Sequence, residues 1–518
     1  MEGFGGPAAK RARVKRLART LVTTAALAGA LVLAPESRAD DAGAIHSPNL
    51  VPVANLPYAE QYGTGQNQGT DIEFARLKHK GKVRDFALAG AYDNGLQIID
   101  ISDPARPAIV GRYDCGISQG DVQVFTRGPR TYATFTMDAG YTLQEESQCV
   151  REAKALGLFQ PTTPHPLDVD PIGALLPDSA YGRPGIGTYI ADITDPAKPR
   201  TVSFVGVAKG SHNQTVHPSG KWLYNSNSQL YTTAGNAGIE VFDIRDLSAP
   251  RLAAVLPLPP VPGLGSESHD ITFNDDGSRA YSAALSHTAI IDTTVVDKPE
   301  IISVIVDPTI NVHHQSTKVT LTDATLGVTR DLLFIEDEVA GAAGFDPCPS
   351  GGLHVYDVTG PLEAAPVKVG YWNIADMRYP TAEGNVGAQC TMHVFRIHPE
   401  EGILTAAFYN GGVRVVDISS VVGVALGGQG VGMREIAFAR FPDAITWSAK
   451  TPRIEPDGSF HLYGNDLVRG LDVYRFDPNA EQADGLSTFV APSDLPAVTT
   501  AARQDAQLLC LLNRTTQV

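Results

Sequence analysis

GLQIIDISDPARP, residues 95–107, and GTYIADITDPAKP, residues 187–199, are two copies of a unit that occurs seven times along the chain. In each copy an apolar stretch, led by glycine in six copies and by histidine in one, runs into a turn. The other copies begin at Gly238, His287, Gly352, Gly412 and Gly470. Apolar residues alternate with others and β-branched residues dominate, so each copy is predicted to be a strand that ends in a tight turn.

An aspartate marks the end of this strand at the same position in six of the seven copies. It lies five residues after the leading residue, as Asp100, Asp192, Asp243, Asp292, Asp357 and Asp417. Successive aspartates are 92, 51, 49, 65 and 60 residues apart, a spacing typical of strand-rich propellers or solenoids. We predict that these aspartates cap turns.

The sequence between the repeated strands predicts the rest of each unit. Around the third copy, the segments SHNQTVHPSG, KWLYNSNS, GIEVFDI and PRLAAVLPL predict four strands separated by turns. Four strands in each of seven units make an all-β fold, a seven-bladed β-propeller of four-stranded antiparallel blades. The last copy lacks a fourth strand, because DPNAEQADG follows it directly. Residues 50–58, LVPVANLPY, are predicted to supply that strand and to close the ring.

Over residues 70–476 the repeat resembles the LVIVD-repeat family of secreted and cell-surface bacterial β-propellers. The stretches quoted first, at residues 95–107 and 187–199, carry this resemblance. It implies the propeller fold. It implies no catalytic residue, because the family is defined by its repeat and one fold can serve many functions.

The N-terminus is typical of an exported protein. Residues 10–19, KRARVKRLAR, are basic, an apolar run of 14 residues starts at Leu21, and Ala39 offers a cleavage site among small residues. This order predicts a secretory signal peptide, because a transmembrane helix needs about 20 apolar residues. The predicted organisation is a signal peptide at 1–39, the propeller at 40–478 and a partly flexible C-terminal tail at 479–518.

Charge narrows the range of partners. The formal net charge is −16, and removing the basic N-terminus makes it more negative. An acidic surface disfavours nucleic acid and anionic lipid. We expect a monomer, and the signal-peptide prediction leaves no transmembrane span in the mature chain. It would be secreted to the extracellular space or associated with the cell surface, and its partner there would be an extracellular ligand or protein.

Five cysteines in an exported chain predict two disulfides and one leftover thiol. Cys115 lies in the link from blade 1 to blade 2, and Cys149 lies in an insertion of blade 2. Cys348 and Cys390 occupy the corresponding places in blades 5 and 6. Since such loops emerge on one face of a propeller, we predict the pairs Cys115–Cys149 and Cys348–Cys390, with Cys510 unpaired.

Histidines are the candidate functional residues. Aligning the first strand of each blade brings four of them to one position in blades 3 to 6, and blades 1 and 2 carry aspartates there. The set is His212, His269, His314, His393, Asp71 and Asp121. First strands line the central channel, so these side chains are predicted to converge at one of its mouths. Imidazoles and carboxylates on a rigid ring suit zinc, copper or iron, and we predict that at least three of the histidines bind one metal ion.

A structural explanation competes with this prediction, because histidines in a polar channel also bond to neighbouring backbone. His217 and His398 are expected at the opposite face, since five residues of strand span about 17 Å. His313 should point away from His314 and is at most a supporting residue. Glu336, Asp337 and Glu338 fall on the histidine face, where a solvated acidic loop is the preferred interpretation.

Two function classes stay open. The chain has no nucleophile elbow, Walker loop, H-E-x-x-H helix or C-x-x-C pair. The first class is an extracellular scaffold that binds a ligand or protein, with or without a metal at the channel mouth. The alternative is a metal-dependent enzyme of hydrolase or oxidoreductase type, its metal held by histidines under the insertions at about 139–186 and 339–351.

Overall fold

The computed structural model describes most of the chain from Gly43 to Gln507. The described residues are 43–61, 67–92, 94–116, 119–137, 145–159, 185–207, 209–230, 237–339, 350–374, 390–428, 430–483 and 488–507. All of them belong to the unit Pro35–Val518. The predicted signal peptide lies outside the described residues and stays a prediction.

Strands form seven antiparallel sheets among these residues, and each sheet is one blade. Two N-terminal strands come first, β1 (Ile45–His46) and β2 (Leu50–Leu56). Blade 1 contains β3 (Gly69–His79), β4 (Lys82–Ala91), β5 (Gly95–Asp100) and β6 (Ala108–Tyr113). Blade 2 contains β7 (Gln119–Arg127), β8 (Arg130–Met137), β9 (Gly187–Asp192) and β10 (Arg200–Gly206). Blade 3 contains β11 (Asn213–Val216), β12 (Trp222–Ser226), β13 (Gly238–Asp243) and β14 (Arg251–Pro257).

The remaining blades follow the same order from the first strand to the last. Blade 4 contains β15 (Asp270–Phe273), β16 (Arg279–Ala284), β17 (His287–Asp292) and β18 (Glu300–Ile305). Blade 5 contains β19 (His313–Asp323), β20 (Val328–Asp337), β21 (Leu353–Asp357) and β22 (Val367–Trp372). Blade 6 contains β23 (His393–His398), β24 (Ile403–Ala407), β25 (Val413–Asp417) and β26 (Arg434–Arg440). Blade 7 contains β27 (Thr446–Lys450), β28 (Phe460–Asp466) and β29 (Gly470–Phe476).

The N-terminus closes the ring. Strand β2 pairs antiparallel with β29, Leu50 opposite Phe476 and Leu56 opposite Leu471, and it becomes the fourth strand of blade 7. The predicted seven-bladed propeller and its closure by an N-terminal strand are therefore confirmed. Strand β1, which the repeat pattern does not predict, adds a fifth strand to blade 6 by pairing with β26.

The repeated sequence unit is the third strand of each blade. The residue three positions after its leading residue is fully buried in every copy, since the sheets stack face to face around the ring. These residues are Ile98, Ile190, Val241, Ile290, Val355, Val415 and Val473.

The six aspartates that end these strands cap turns, as predicted. The Oδ1 atom of each accepts the backbone N–H of the residue two positions later, at distances between 2.9 and 3.0 Å. Such a bond replaces the ladder partner that the backbone loses where the strand stops.

Helices are few and short among the residues that the structure describes. They are α1 (Gln148–Ala155), α2 (Val421–Ala425), two 3-10 turns at Gly360–Glu363 and Pro492–Asp494, and the helical residues 500–507. In the part of the chain that the structure describes, none is long and apolar enough to cross a bilayer. The C-terminal tail contacts the blades, because Val490 pairs with Tyr371 and the Arg503 guanidinium donates to the Ser286 carbonyl at 2.9 Å.

One of the two predicted disulfides lies wholly within the described residues. Cys115 and Cys149 are bonded, with their Cα atoms 5.1 Å apart, and the bond ties α1 to the link between blades 1 and 2. Cys390 is also disulfide-bonded. Its predicted partner Cys348 lies outside the described residues, as does Cys510.

Candidate metal centre

First strands of all seven blades line one central cavity of about 500 Å³. Four buried histidines come together at one end of it, where these strands begin. His212 and His269 directly precede β11 and β15, and their Nε2 atoms are 2.8 Å apart. The ring centroids of His269 and His314 are 4.0 Å apart, and those of His314 and His393 are 4.5 Å apart. The shared register seen in the sequence thus corresponds to a continuous row of imidazoles.

Backbone geometry directs two of these rings. The backbone N–H of His269 donates a hydrogen bond to the Ala283 carbonyl at 2.7 Å and fixes the position of that residue. Beyond His393 the pairing of β23 with β24 shifts register, and Val394 has a φ of 46°. A left-handed conformation is strained for a β-branched residue, and such strain collects at functional sites.

Glu338 completes a group of donor atoms with two of the histidines. Among the described residues, one ligand atom each from His269, His314 and Glu338 lie within 4.8 Å of one another, and all three residues are buried. His314 Nε2 is 3.3 Å from a Glu338 oxygen. This group contains two of the four predicted histidines and a carboxylate that was not among the predicted ligands.

The acidic stretch that contains Glu338 is not a solvated loop, and that interpretation was wrong. The exposed fractions of Glu336, Asp337 and Glu338 are 0%, 2% and 3%. Strand β20 continues through Asp337, so its end reaches the beginnings of the neighbouring first strands. There the carboxylates have protein partners in place of water. Glu336 lies 3.2 Å from His314 Nδ1, and Asp337 accepts the N–H of Val312 at 2.9 Å.

Neighbouring groups set which ring nitrogen faces the centre. His393 Nδ1 lies 2.7 Å from the Trp447 carbonyl. A carbonyl can only accept, so Nδ1 carries the proton and Nε2 keeps its lone pair, 4.0 Å from Glu338 Oε1. The Tyr409 hydroxyl donates to the same Glu338 oxygen at 2.8 Å. Partners of this kind fix the tautomer and orientation of metal ligands in proteins.

The carboxylates also control charge in the row of imidazoles. Burial lowers the pKa of His314, but Glu336 and Glu338 outweigh it and raise that pKa to about 9. Burial, reinforced by the cation on His314, holds the pKa of His393 well below its usual value. Burial raises the pKa of Glu336. Without a metal, His314 is therefore protonated and His393 is neutral.

Asp71 and Asp121 line the same cavity but stand outside this donor group. Asp71 accepts a hydrogen bond from the Lys450 ammonium at 2.7 Å, and Asp121 accepts one from Gln214 at 3.1 Å. Lys450 also contacts Glu73, which binds Arg396 through both carboxylate oxygens. Sequence reasoning missed Lys450, although a lysine at the end of the short strand TWSAK was a visible signal.

The other histidines lie where the strand geometry places them. His217 is at the far end of its strand and is 3.0 Å from the Gly277 carbonyl. His313 turns away from His314, and its Nδ1 is 2.8 Å from the Thr288 hydroxyl. His398 ends β23, five residues beyond His393.

Comparison with known protein families supports the resemblance of the repeat to LVIVD repeats. Residues 80–115 match the family model described as LVIVD repeat. The chain carries an LVIVD repeat. This LVIVD segment comprises all of β4, β5 and β6 and the disulfide-bonded Cys115. No curated protein matches the chain significantly in sequence. Among solved structures, the periplasmic gluconolactonase of Pseudomonas aeruginosa has a TM-score of 0.44 and 11% identity, over 83% of this chain and 100% of that one. A similarity of this degree carries no information on activity.

Proposed function

We propose that the protein is an exported metal-dependent enzyme that acts on a small polar molecule in the channel of the propeller. The observation that carries the proposal is the group of His269, His314 and Glu338, whose donor atoms face one another in a buried site. Export is supported by the N-terminal sequence and by the Cys115–Cys149 disulfide, which is typical of an oxidising compartment.

The donor set suits a catalytic divalent metal. Two histidines and one carboxylate, with positions left for water or substrate, hold zinc in hydrolytic enzymes and iron in oxygenases. The surroundings suit it as well. Glu336 contacts His314 at Nδ1 and leaves Nε2 toward the centre, and Tyr409 orients Glu338. His212 and His393 stand on either side as further nitrogen donors.

A hydrolytic reaction is the best match to these residues. A metal held there would supply a water of lowered pKa and would polarise a substrate carbonyl. His212 lies next to His269 and can take up or return a proton within the site. Trp447 and Tyr409 pack around His393 and exclude bulk water from this end of the channel, which strengthens every electrostatic contact there.

A binding scaffold without turnover is the alternative, and one observation favours it. His314 already contacts a carboxylate at each ring nitrogen, Glu336 at Nδ1 and Glu338 at Nε2. A protonated imidazole between two carboxylates is satisfied without any metal. The two functions therefore differ in whether metal replaces the proton on His314 Nε2.

Metal analysis separates them. In protein purified without chelator or affinity-tag nickel, we expect about one zinc or iron per chain. His314→Ala and Glu338→Gln should each lose the metal and remain folded. The matched control is His398→Ala, on the same strand as His393 but five residues away, and it should keep the metal. Metal-free wild-type protein that also fails to bind zinc or iron on reconstitution would contradict the proposal.

Activity is tested on the metal-loaded protein with p-nitrophenyl acetate and p-nitrophenyl phosphate as general probes of hydrolysis. We expect turnover that disappears in His314→Ala and persists in His398→Ala. Stoichiometric metal without turnover of either probe would favour the binding scaffold.

A further inference from the structure

The C-terminal tail passes from blade 5 to blade 4 between residues 488 and 507. It begins beside β22, the last strand of blade 5, where Val490 pairs with Tyr371. Farther along, the N–H of Val498 donates to the Pro308 carbonyl at 2.7 Å, and the helical residues 500–507, the tail helix, follow. The described part of the tail forms no strand of a blade, so ring closure does not explain its contacts.

Two polar side chains of the tail helix are buried against blade 4. Arg503 is 6% exposed, and its guanidinium donates to the Ser286 carbonyl at 2.9 Å. Gln507 is fully buried, and its Oε1 atom accepts the N–H of Gly265 at 2.9 Å. Burying polar groups of this kind is costly unless they are hydrogen-bonded. Directed bonds therefore give the tail helix a defined place on blade 4.

Leu285 is a strained residue that the tail helix covers. It lies between β16 and β17 with a φ of 48°, in the left-handed region that is costly for a residue with a bulky side chain. Its side chain is buried and belongs to the same apolar cluster as Ala506 of the helix. A strained conformation persists only where its surroundings determine it. The helix supplies part of these surroundings, because Ala506 packs in the cluster and Arg503 holds the next residue, Ser286.

Leu285 connects the tail helix with the candidate metal centre. It exchanges two backbone hydrogen bonds with His313, at 3.1 and 2.8 Å, and His313 directly precedes His314. Val312 belongs to the same apolar cluster as Leu285, and its carbonyl accepts the N–H of Glu338 at 3.2 Å. Two of the three donor residues are thus held by backbone segments that pack under the tail helix.

Building on the proposed function, we propose that the tail helix positions the metal ligands, with Arg503 and Ala506 fixing the backbone segments that place His314 and Glu338. Neither residue is itself a ligand. A metal site gains affinity when its donors are held in place before the ion binds. Loosening the contacts of the tail helix should therefore weaken metal binding without abolishing it.

The test measures the affinity of the full chain for zinc by competition with a chromogenic chelator. Arg503→Ala should weaken zinc binding about tenfold, as the loss of a supporting partner does at other metal sites. Arg503→Lys should retain most of the affinity, because an ammonium group can also donate to the Ser286 carbonyl. The matched control is Asp505→Ala, at an exposed position of the same helix, and it should bind zinc like wild type.

Phe489→Ala separates positioning from overall stability. The Phe489 ring lies near the start of the tail, where it packs against Gly370 and Gly432. Its loss should lower the unfolding free energy in urea and leave zinc affinity unchanged. Cobalt(II) in place of zinc reports the geometry of the site, and its visible absorption should change in Arg503→Ala but not in Phe489→Ala. Equal losses of affinity in the two variants would show that the tail acts through stability alone and would overturn the inference.

Metal-free protein keeps this inference apart from the proposed function. In protein labelled at histidine, the ring signals of His314 in NMR spectra should shift in Arg503→Ala and stay in place in Asp505→Ala. The His314→Ala variant assigns these signals. Wild-type protein that binds no metal but shows this shift refutes only the proposed function. Wild-type protein that binds zinc with the same affinity as Arg503→Ala refutes only the positioning role.

Discussion

The channel has two walls that differ in the residues at the start of their first strands. The histidine wall is formed by blades 3 to 6, and the network wall is formed by blades 1 and 2 with Lys450 and Arg396. On blades 3 to 6 the residue at the start of the first strand is a histidine, and the four rings pack against one another in a row. Glu338 lies beside His269 and His314 of this row. On blades 1 and 2 the corresponding residue is Asp71 or Asp121. Asp71 is joined to Lys450 of blade 7, and through Glu73 the network reaches Arg396. One register position therefore serves a donor cluster on one wall and an ion-pair network on the other.

The difference shows that position alone does not make a ligand. A carboxylate in a salt bridge is already paired with a cation, so it binds a metal ion weakly. A neutral imidazole keeps one lone pair when its other nitrogen is bonded, as His393 does toward Trp447. The comparison predicts that damage to the network wall lowers stability, whereas damage to the histidine wall lowers metal affinity.

The largest effect is expected from Glu73→Gln on the network wall. The change leaves the charges of Lys450 and Arg396 partly unpaired in the channel, and we expect unfolding free energy to fall by about 3–5 kcal/mol. Urea denaturation measures it, and metal content should not change. Glu455→Gln is the control, because it breaks an exposed pair with Arg453 that is worth about 1 kcal/mol or less. Loss of metal in Glu73→Gln would show that the two walls are coupled.

A smaller effect is expected from Glu336→Gln on the histidine wall. The amide is a weaker partner for His314 Nδ1 than the carboxylate, and supporting partners of this kind change metal affinity by about 10–100-fold. Competition with a chromogenic chelator measures the affinity. Asp71→Asn, at the ligand register of the opposite wall, should leave it unchanged. Equal losses in both variants would mean that Asp71 contributes to the metal site despite its salt bridge.

The smallest effect is a dependence of stability on acid pH. Burial raises the pKa of Glu73, but Arg396 and Lys450 outweigh it and lower that pKa to about 2. Its stabilisation is therefore complete above the unfolded-state pKa and is lost as the pH falls toward 2. Between pH 7 and pH 4 the loss is roughly 0.6 kcal/mol. Wild-type stability should fall by this amount more than that of Glu73→Gln, and parallel profiles would contradict the assignment.

Most of the fold could be predicted from local patterns in the sequence. Alternating apolar residues before Asp100 and its five equivalents predicted the third strand of each blade, and the truncated last copy predicted that an N-terminal strand closes the ring. Strand β1 has two residues, too few for a periodic pattern, and it forms because the chain leading to β2 passes the open edge of blade 6.

The candidate site was only partly accessible to the same reasoning. Four histidines in register could be aligned because they follow the repeat. Glu338 could not be chosen from its sequence, since an acidic run at a strand end is more often solvated. Lys450 lies at the end of the first strand of blade 7 and not at its start, so the alignment of strand starts does not include it. Its pairing with Asp71 joins residues 379 positions apart.

The sequence by itself determined the seven-bladed ring, its closure and the register of the histidines, because each depends on periodicity or on the order of elements along the chain. Tertiary structure decided which donor atoms meet and which carboxylates are paired with a cation. Those outcomes depend on distances of a few ångströms between side chains from different blades. Burial then strengthens each contact by removing water, so that Asp71 becomes part of a salt bridge while Glu338 joins the histidines.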